Sequence, residues 1–217
     1  SDLVPVWGHV FPLSPGAASA RTGRVRTGGG TMAASMGGAP PRIAAVQGAS
    51  RVAIQALLSR LAAAWSRRGL RIAGVVEESA GAGPGEGEEN WVLRDLRTGA
   101  SYPLKRDLGP GSTACALDAA GLAAACFAAE RAIEDGCDLV IISKFGKLEA
   151  ERGGLSGAFC AAVAANAPVL TSVSPQLAEA WEAFARPLAT FIAPDECAIE
   201  AWRLALAQAK ANEPASR

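Results

Sequence analysis

Short apolar segments alternate with helical ones along most of this chain, and this alternation narrows its fold more than any other feature. The first predicted strand lies in 42–50, a stretch that ends in a glycine turn with Ser50 as helix N-cap, and the other predicted strands are 70–79, 138–143, 168–173 and 189–193. The predicted helices are 51–69, 118–135, 154–166, 175–185 and 195–211. A strand, a helix and a further strand in sequence favour parallel pairing with a right-handed crossover. We therefore predict an α/β fold, an open and mostly parallel sheet with helices on both faces in a three-layer sandwich.

One segment departs from the alternation. The stretches "NWVLRDL" and "SYPLKRDL" flank "RTGA", a pattern that predicts a β-hairpin insertion at 90–108 with Gly99 in its turn. The glycine-rich stretch at 79–89 predicts a loop. Residues 1–41 show no sustained apolar period and predict a disordered N-terminal tail, and we assign 212–217 to a disordered C-terminal tail. A single α/β domain at 42–211 lies between them.

The balance of charged residues does not favour nucleic acid or a membrane as a binding partner. Lys plus Arg and Asp plus Glu number 21 each, so net charge gives no reason to expect nucleic acid or a membrane surface as partner. No apolar run approaches the ~20 residues of a membrane-spanning helix. We expect a cytoplasmic protein that binds neither nucleic acid nor membrane.

The few histidine and cysteine residues argue against a metal site and against histidine chemistry. His9 is the single histidine and lies in the predicted tail, so a Ser-His-Asp triad and a His-ligated zinc are not expected. The five cysteines form no Cys-x-x-Cys pair, and we interpret them as small buried thiols in a reducing compartment. The sequence indicates no metal and names no cofactor.

The first candidate site is "QGASR" (47–51), between the first strand and the first helix. A Walker A loop needs a second glycine followed by lysine, and neither follows Gly48 here. Free amides at a helix N-terminus together with Arg51 suffice for phosphate or a similar oxyanion. The alternative is that Gly48 and Ser50 only form a capped turn.

The second candidate is "SKFGK" (143–147), at the exit of a strand that we predict to be central. Ligands of open parallel sheets bind at the carboxyl ends of the strands. The lysine pair would repel a metal ion, so Lys144, Gly146 and Lys147 suit a polyanion bound without metal, with a solvated loop as the alternative. Replacing either lysine is expected to lower stability little, because surface lysines contribute little to folding. Phe145 between them is expected to face the core.

Three further residues have weaker claims to function. Glu149 is a candidate to orient the lysines or to act as a base, although exposed pairs of this kind are usually solvated. Asp118 stands at a predicted helix start, where capping explains it adequately. Cys115 would need a nearby cation to act as a nucleophile.

Four stretches resemble one bacterial protein family: "CALD" (115–118), "DLVIISKFGKLEAERGGL" (138–155), "APVLTSV" (167–173) and "AWEAFA" (180–185). They resemble the DUF2478 family, over about residues 42–205. This resemblance implies a fold related to P-loop nucleoside triphosphatases of the THEP1 type and frequent proximity to molybdate-transport genes. The family commonly has Asn where this chain has Ser143.

These observations favour a non-catalytic protein that binds a nucleotide or an oxyanion such as phosphate or molybdate. The alternative is a THEP1-like nucleoside triphosphatase with a degenerate loop, which would use Asp118 or Glu149 as base or metal ligand. The missing P-loop lysine favours binding, and the resemblance links it to molybdate or molybdenum-cofactor metabolism. The ligand and the oligomeric state stay open. The predicted binding residues are Gly48, Ser50, Arg51, Lys144, Gly146 and Lys147.

Overall fold

The computed structural model of the protein describes residues 40–82, 89–106 and 116–212. Its described strands are β1 (Ile43–Val46), β2 (Ile72–Ala82), β3 (Glu89–Asp95), β4 (Ser101–Pro103), β5 (Lys105–Arg106), β6 (Ala116–Leu117), β7 (Leu139–Phe145), β8 (Val169–Val173) and β9 (Ala189–Ile192). Seven of them form one sheet in the order β4-β3-β2-β7-β8-β1-β9, and β5 pairs with β6. The described helices are α1 (Arg51–Arg67), α2 (Ala119–Glu134), α3 (Lys147–Ala150), α4 (Ser156–Ala164), α5 (Ala178–Ala185) and α6 (Glu196–Asn212), with a 3₁₀ turn at Pro175–Leu177.

The sheet is parallel over five strands, β2-β7-β8-β1-β9, and antiparallel at the β2-β3-β4 edge. Helices α1 and α6 cover one face, where Leu58, Trp65 and Ile199 are fully buried against the sheet. Helices α2, α4 and α5 cover the other face. The predicted α/β class, mostly parallel sheet and covered faces are confirmed.

An aromatic cluster holds β7 against α4 and α5. The ring centroid of Phe145 lies 5.1 Å from that of Trp181 and 5.0 Å from that of Phe184, and 6.4 Å from that of Phe159. Edge-on and tilted rings at these separations add to the free energy gained by burying apolar area. Phe145 is buried, so its predicted place in the core is confirmed.

Two predicted element boundaries were wrong. The stretch 79–82 was expected in a loop, but β2 continues to Ala82 because its outer edge pairs antiparallel with β3. The hairpin, which turns at Gly99 as predicted, therefore widens the sheet. Strand β7 continues to Phe145, two residues past its predicted end, and the predicted loop after it contains the helical turn α3.

The predicted tails fall mainly outside the described residues, which exclude 1–39 and 213–217. At the inner boundaries, Trp202 Nε1 donates a hydrogen bond to the Pro41 carbonyl at 2.9 Å, and α6 continues to Asn212. Of the helices in the described part of the chain, none is long and apolar enough to span a membrane.

Candidate functional site

Five of the six predicted binding residues line one cavity at the carboxyl edge of the sheet. This cavity, here the anion pocket, has a volume of about 320 Å³, and the five are Gly48, Arg51, Lys144, Gly146 and Lys147. Backbone from the β1–α1 turn forms one side, and the end of β7 forms the other. Ser50 is not part of this lining, because its Oγ caps α1 by accepting the Ala53 N–H at 3.3 Å.

The β1–α1 turn needs a glycine at its tip. Gly48 has φ +108°, a left-handed conformation that side chains rarely adopt. A Cβ at this position would also lie 3.5 Å from the Pro194 ring. The turn therefore depends on Gly48 for its backbone shape, whether or not it binds an anion.

A buried carboxylate that sequence reasoning missed organises the cations of the site. Arg51 donates from Nε to Glu77 Oε2 at 2.8 Å and from Nη2 to the same oxygen at 2.7 Å. Lys144 Nζ lies 2.6 Å from Glu77 Oε1. The Glu77 side chain is 1% exposed, whereas those of Arg51 and Lys144 are 47% and 41% exposed. These three residues, the Glu77 cluster, carry a net positive charge and present both cations to solvent.

Glu77 is held in place by a polar network that crosses the sheet edge. The Glu77 N–H donates to Gln55 Oε1 at 3.3 Å, and Gln55 Nε2 donates to the Ser143 carbonyl at 2.7 Å. Ser172 Oγ donates to the same carbonyl at 2.9 Å. The network joins β2, α1, β7 and β8, so the strand ends that carry the cations have a fixed relative position.

The cluster changes the interpretation of Lys144. Its pairing with a buried carboxylate is a contact that a simple surface lysine lacks, so we predict that Lys144 contributes more to stability than the sequence suggested. Arg51 is further fixed because its guanidinium carbon lies 4.6 Å from the centroid of the Trp91 ring. Lys147 is exposed at the start of α3, and its side chain makes no ion pair or hydrogen bond with the other residues that the structure describes.

Glu149 does not have the role that was considered for it. Its Oε2 accepts the Gly146 N–H at 2.8 Å, and its Oε1 accepts the Leu155 N–H at 2.8 Å. Glu149 is also buried, so both oxygens serve the backbone around α3 and neither orients a lysine or acts as a base. Because the Gly146 N–H is used in this way, it does not point to an anion, and Gly146 contributes only its small size to the lining.

Asp118 caps a helix, as the preferred interpretation of the sequence had it. Its Oδ1 accepts the N–H groups of Ala120 and Gly121, each at 3.0 Å, at the start of α2. Cys115 lies outside the described residues. Within the described ranges, no group of three or more His, Cys, Asp or Glu side chains is placed to hold a metal ion.

The four described cysteines do not all match the expected buried thiols. Cys126 is buried, Cys137 and Cys160 are partly buried, and Cys197 is exposed on α6. Desolvation raises the pKa of Cys126 to about 11, and the nearby Glu130 carboxylate adds to this. Burial also raises the pKa of Cys137. The Cys126 thiol is therefore protonated, and inert as a nucleophile, near neutral pH.

A second cavity adjoins the anion pocket on the other side of the Glu77 cluster. It has a volume of about 380 Å³ and shares Arg51, Lys144, Gly146 and Lys147 with the anion pocket. The remaining wall is mostly apolar, and we name this cavity the leucine pocket. Its apolar lining consists of Trp91, Leu93, Leu104, Leu117, Leu122, Leu148 and Leu155.

Sequence signals for the missed residues were present but faint. Glu77 follows the apolar pair Val75 and Val76 inside a strand, where an acid is unusual. Gln55 lies among the apolar positions of α1, between Ile54 and Leu58. The leucine pocket had no such signal, since its walls come from separate elements that only the folded chain brings together.

A larger cavity of about 510 Å³ lies at the opposite, amino-terminal edge of the sheet, beside Arg42, Asp138 and Asn166. In open α/β sheets, ligands bind at the carboxyl ends of the strands, where loops and helix N-termini converge. We therefore place the candidate site at the anion pocket and the leucine pocket.

Comparison with known proteins places the chain in a family. A molybdenum import ATP-binding protein, ModC 2 of Bradyrhizobium diazoefficiens, is 36% identical over 201 residues, or 90% of this chain and 22% of that protein. The chain thus spans about a fifth of the length of that curated relative. The solution structure of a human cancer-related nucleoside triphosphatase superposes with a TM-score of 0.49 at 14% identity, covering 81% of this chain and 97% of that one. The profile described as "Protein of unknown function (DUF2478)" matches residues 43–202, and the chain belongs to this family.

Proposed function

We propose that this protein binds a nucleotide or an oxyanion such as phosphate or molybdate, without hydrolysing it, in the anion pocket. The observation that carries the proposal is the convergence of Arg51, Lys144 and Lys147 on one cavity at the carboxyl edge of the sheet. These cations come from two parts of the chain that are far apart in sequence. The fold, and not closeness in sequence, therefore brings these positive charges together.

The balance of charge in the pocket favours an anion. Among the described lining residues of the anion pocket there are three cations and no carboxylate. Glu77 lies behind Arg51 and Lys144 and offsets one positive charge. An anion that reaches Lys147 and the outer side of Lys144 would make charge-assisted hydrogen bonds, which are the strong class.

The residues that would carry out hydrolysis have less structural support than those proposed to bind the anion. The two carboxylates considered as base or metal ligand, Asp118 and Glu149, already accept two backbone N–H groups each. The β1–α1 turn also lacks the lysine of a Walker A loop. Both features favour binding over catalysis.

The name of the curated relative supports two of the ligands proposed here. That protein is described as an ATP-binding protein of molybdenum import. A nucleotide and a molybdate-like oxyanion are therefore the first ligands to compare, and we propose a role linked to molybdate or molybdenum-cofactor metabolism on this ground.

Binding is tested by thermal shift and calorimetry with phosphate, sulfate, molybdate, tungstate, ATP and GTP. A ligand at 100 times its Kd should add roughly 2.7 kcal/mol to the free energy of unfolding. Lys147→Ala should weaken binding about tenfold or more, the loss expected for a charge-assisted bond. Lys210→Ala is the matched control, since Lys210 is an exposed lysine at the far edge of the sheet.

Two results would contradict the proposal. If no anion binds, or if Lys147→Ala and Lys210→Ala bind every anion equally well, the anion pocket is not the site. If purified protein releases phosphate from ATP or GTP in a magnesium-dependent reaction that Lys147→Ala reduces, the nucleoside triphosphatase is the correct assignment.

A further inference from the structure

We propose that the leucine pocket is a subsite for the planar, uncharged ring of a phosphorylated organic ligand, a nucleobase-sized heterocycle whose phosphate lies in the anion pocket. This inference rests on the proposed function and narrows its ligand from any oxyanion to a nucleotide-like molecule. The two cavities share Arg51, Lys144, Gly146 and Lys147 in their linings, so a phosphate held at these residues borders both cavities.

The walls of the leucine pocket suit a ring. Six leucines and Trp91 supply apolar surface from the hairpin, from α2 and from the segments around α3. Its volume of about 380 Å³ lies within the range of small-molecule sites. This volume is too small for a partner helix. Away from the shared cations, the polar residues of the described lining are Ser143, Glu77 and Glu149, so the wall offers no further cation to a second phosphate.

The shared residues fix where the charged part of the ligand must lie. Arg51, Lys144, Gly146 and Lys147 border both cavities, whereas the six leucines of the leucine pocket do not line the anion pocket. A phosphate held by the lysines therefore has an apolar chamber as its immediate neighbour. An inorganic oxyanion would leave that chamber to water, whereas a ring attached to the phosphate would fill it.

One polar atom in the wall points to a specific contact. Two buried hydroxyls of the described residues, those of Ser143 and Thr171, have no hydrogen-bond partner, and of these Ser143 lines the leucine pocket. Buried polar atoms are nearly always paired, and the position of Ser143 in the cavity wall makes a ligand its candidate partner. A ring nitrogen, an amino group or a carbonyl at the edge of a heterocycle would supply it.

The test measures the binding of three classes of probe to the full chain: inorganic phosphate, the four common ribonucleoside monophosphates and the matching nucleosides. We expect at least one monophosphate to bind more than tenfold more tightly than inorganic phosphate. Calorimetry gives each Kd, and thermal shift reports folding of each variant.

The variants replace leucines at the rim of the pocket, where the cost in folding is small. Leu117 and Leu148 are 49% and 37% exposed. Leu117→Gln and Leu148→Gln should each weaken monophosphate binding about five- to tenfold, and should leave the Kd of inorganic phosphate unchanged. Leu204→Gln on α6 is the matched control, since Leu204 is 45% exposed and lies outside both pockets.

The outcomes separate this inference from the proposed function. If phosphate and the monophosphates bind equally, and the rim variants behave as Leu204→Gln does, the subsite is refuted while the anion pocket stands. If nucleosides bind, the rim variants abolish that binding and no anion binds, the subsite stands and the anion pocket is refuted. If none of the probes binds, the subsite is refuted, and the anion pocket is refuted with it when sulfate, molybdate, tungstate, ATP and GTP also fail to bind.

Discussion

Lys144→Ala should lower the stability of the protein even in the absence of ligand, although this lysine is 41% exposed. Its Nζ lies 2.6 Å from Oε1 of a Glu77 side chain that is 1% exposed. Loss of the lysine leaves that oxygen without its cation, while Arg51 continues to pair with the other oxygen. The Glu77 carboxylate would thus lose one of its two cations and keep the other.

The magnitude follows from these contacts. A hydrogen bond to a charged group contributes about 1.5–3 kcal/mol, and solvent screening of a partly exposed lysine reduces this. We expect a loss of about 1–2 kcal/mol in the free energy of unfolding. For a chain of this length, that corresponds to a melting temperature lower by about 2–8 °C.

Urea unfolding monitored by tryptophan fluorescence measures this loss, and Lys147→Ala is the matched control. Both lysines line the anion pocket, but Lys147 has no ion pair with the other described residues. Both variants should weaken anion binding, and only Lys144→Ala should lower the urea midpoint. In a Glu77→Gln background the cost of Lys144→Ala should shrink or reverse, because no carboxylate is left to pair with it.

Equal urea midpoints for Lys144→Ala, Lys147→Ala and the parent would refute this reasoning. The ion pair with Glu77 would then contribute nothing to folding, and Lys144 would be the simple surface lysine that the sequence suggests. A cost of Lys144→Ala that persists unchanged with Glu77→Gln would show that the lysine acts through another contact.

Three further predictions concern the core and two titrating groups. Phe145→Ala should cost about 3–5 kcal/mol in urea unfolding, because this buried ring packs against three others; a cost under about 1 kcal/mol would contradict that packing. The hydrogen bond from Arg203 lowers the pKa of Glu200 from 4.5 to about 2. Glu200→Gln should therefore be less stable than the parent above pH 4.5, and this difference in the free energy of unfolding should disappear as pH falls to about 2. A stability difference that stays constant over this pH range would contradict the role of the Glu200 carboxylate. Iodoacetamide at pH 8 should label the exposed Cys197 well before Cys126, whose pKa is about 11. Mass spectrometry of digests gives the order of labelling, and labelling of Cys126 first would contradict its burial.

The α/β class, and the edge of the sheet at which the candidate site lies, were predictable from the sequence. Apolar periodicity is a local property, so the run at 138–143 and the helical spacing of α1 identify their elements without knowledge of the rest of the chain. Alternation of the two then requires parallel strands, whose carboxyl ends share one edge. For this reason the sequence alone predicts that Arg51 and Lys147 lie at the same edge, where both line the anion pocket.

Only the tertiary structure decided what those residues contact. Glu77 lies 26 positions after Arg51 in sequence, and no local pattern indicates that it pairs with both Arg51 and Lys144. The strand order was also decided by the tertiary structure. Strands β7 and β8 lie between β1 and β2, and this order brings Lys144 beside Arg51. The leucine pocket depends on long-range packing of elements whose sequences are individually ordinary. The physical reason is common to all three: local sequence sets which elements form, whereas partners across a sheet edge are chosen by how those elements pack.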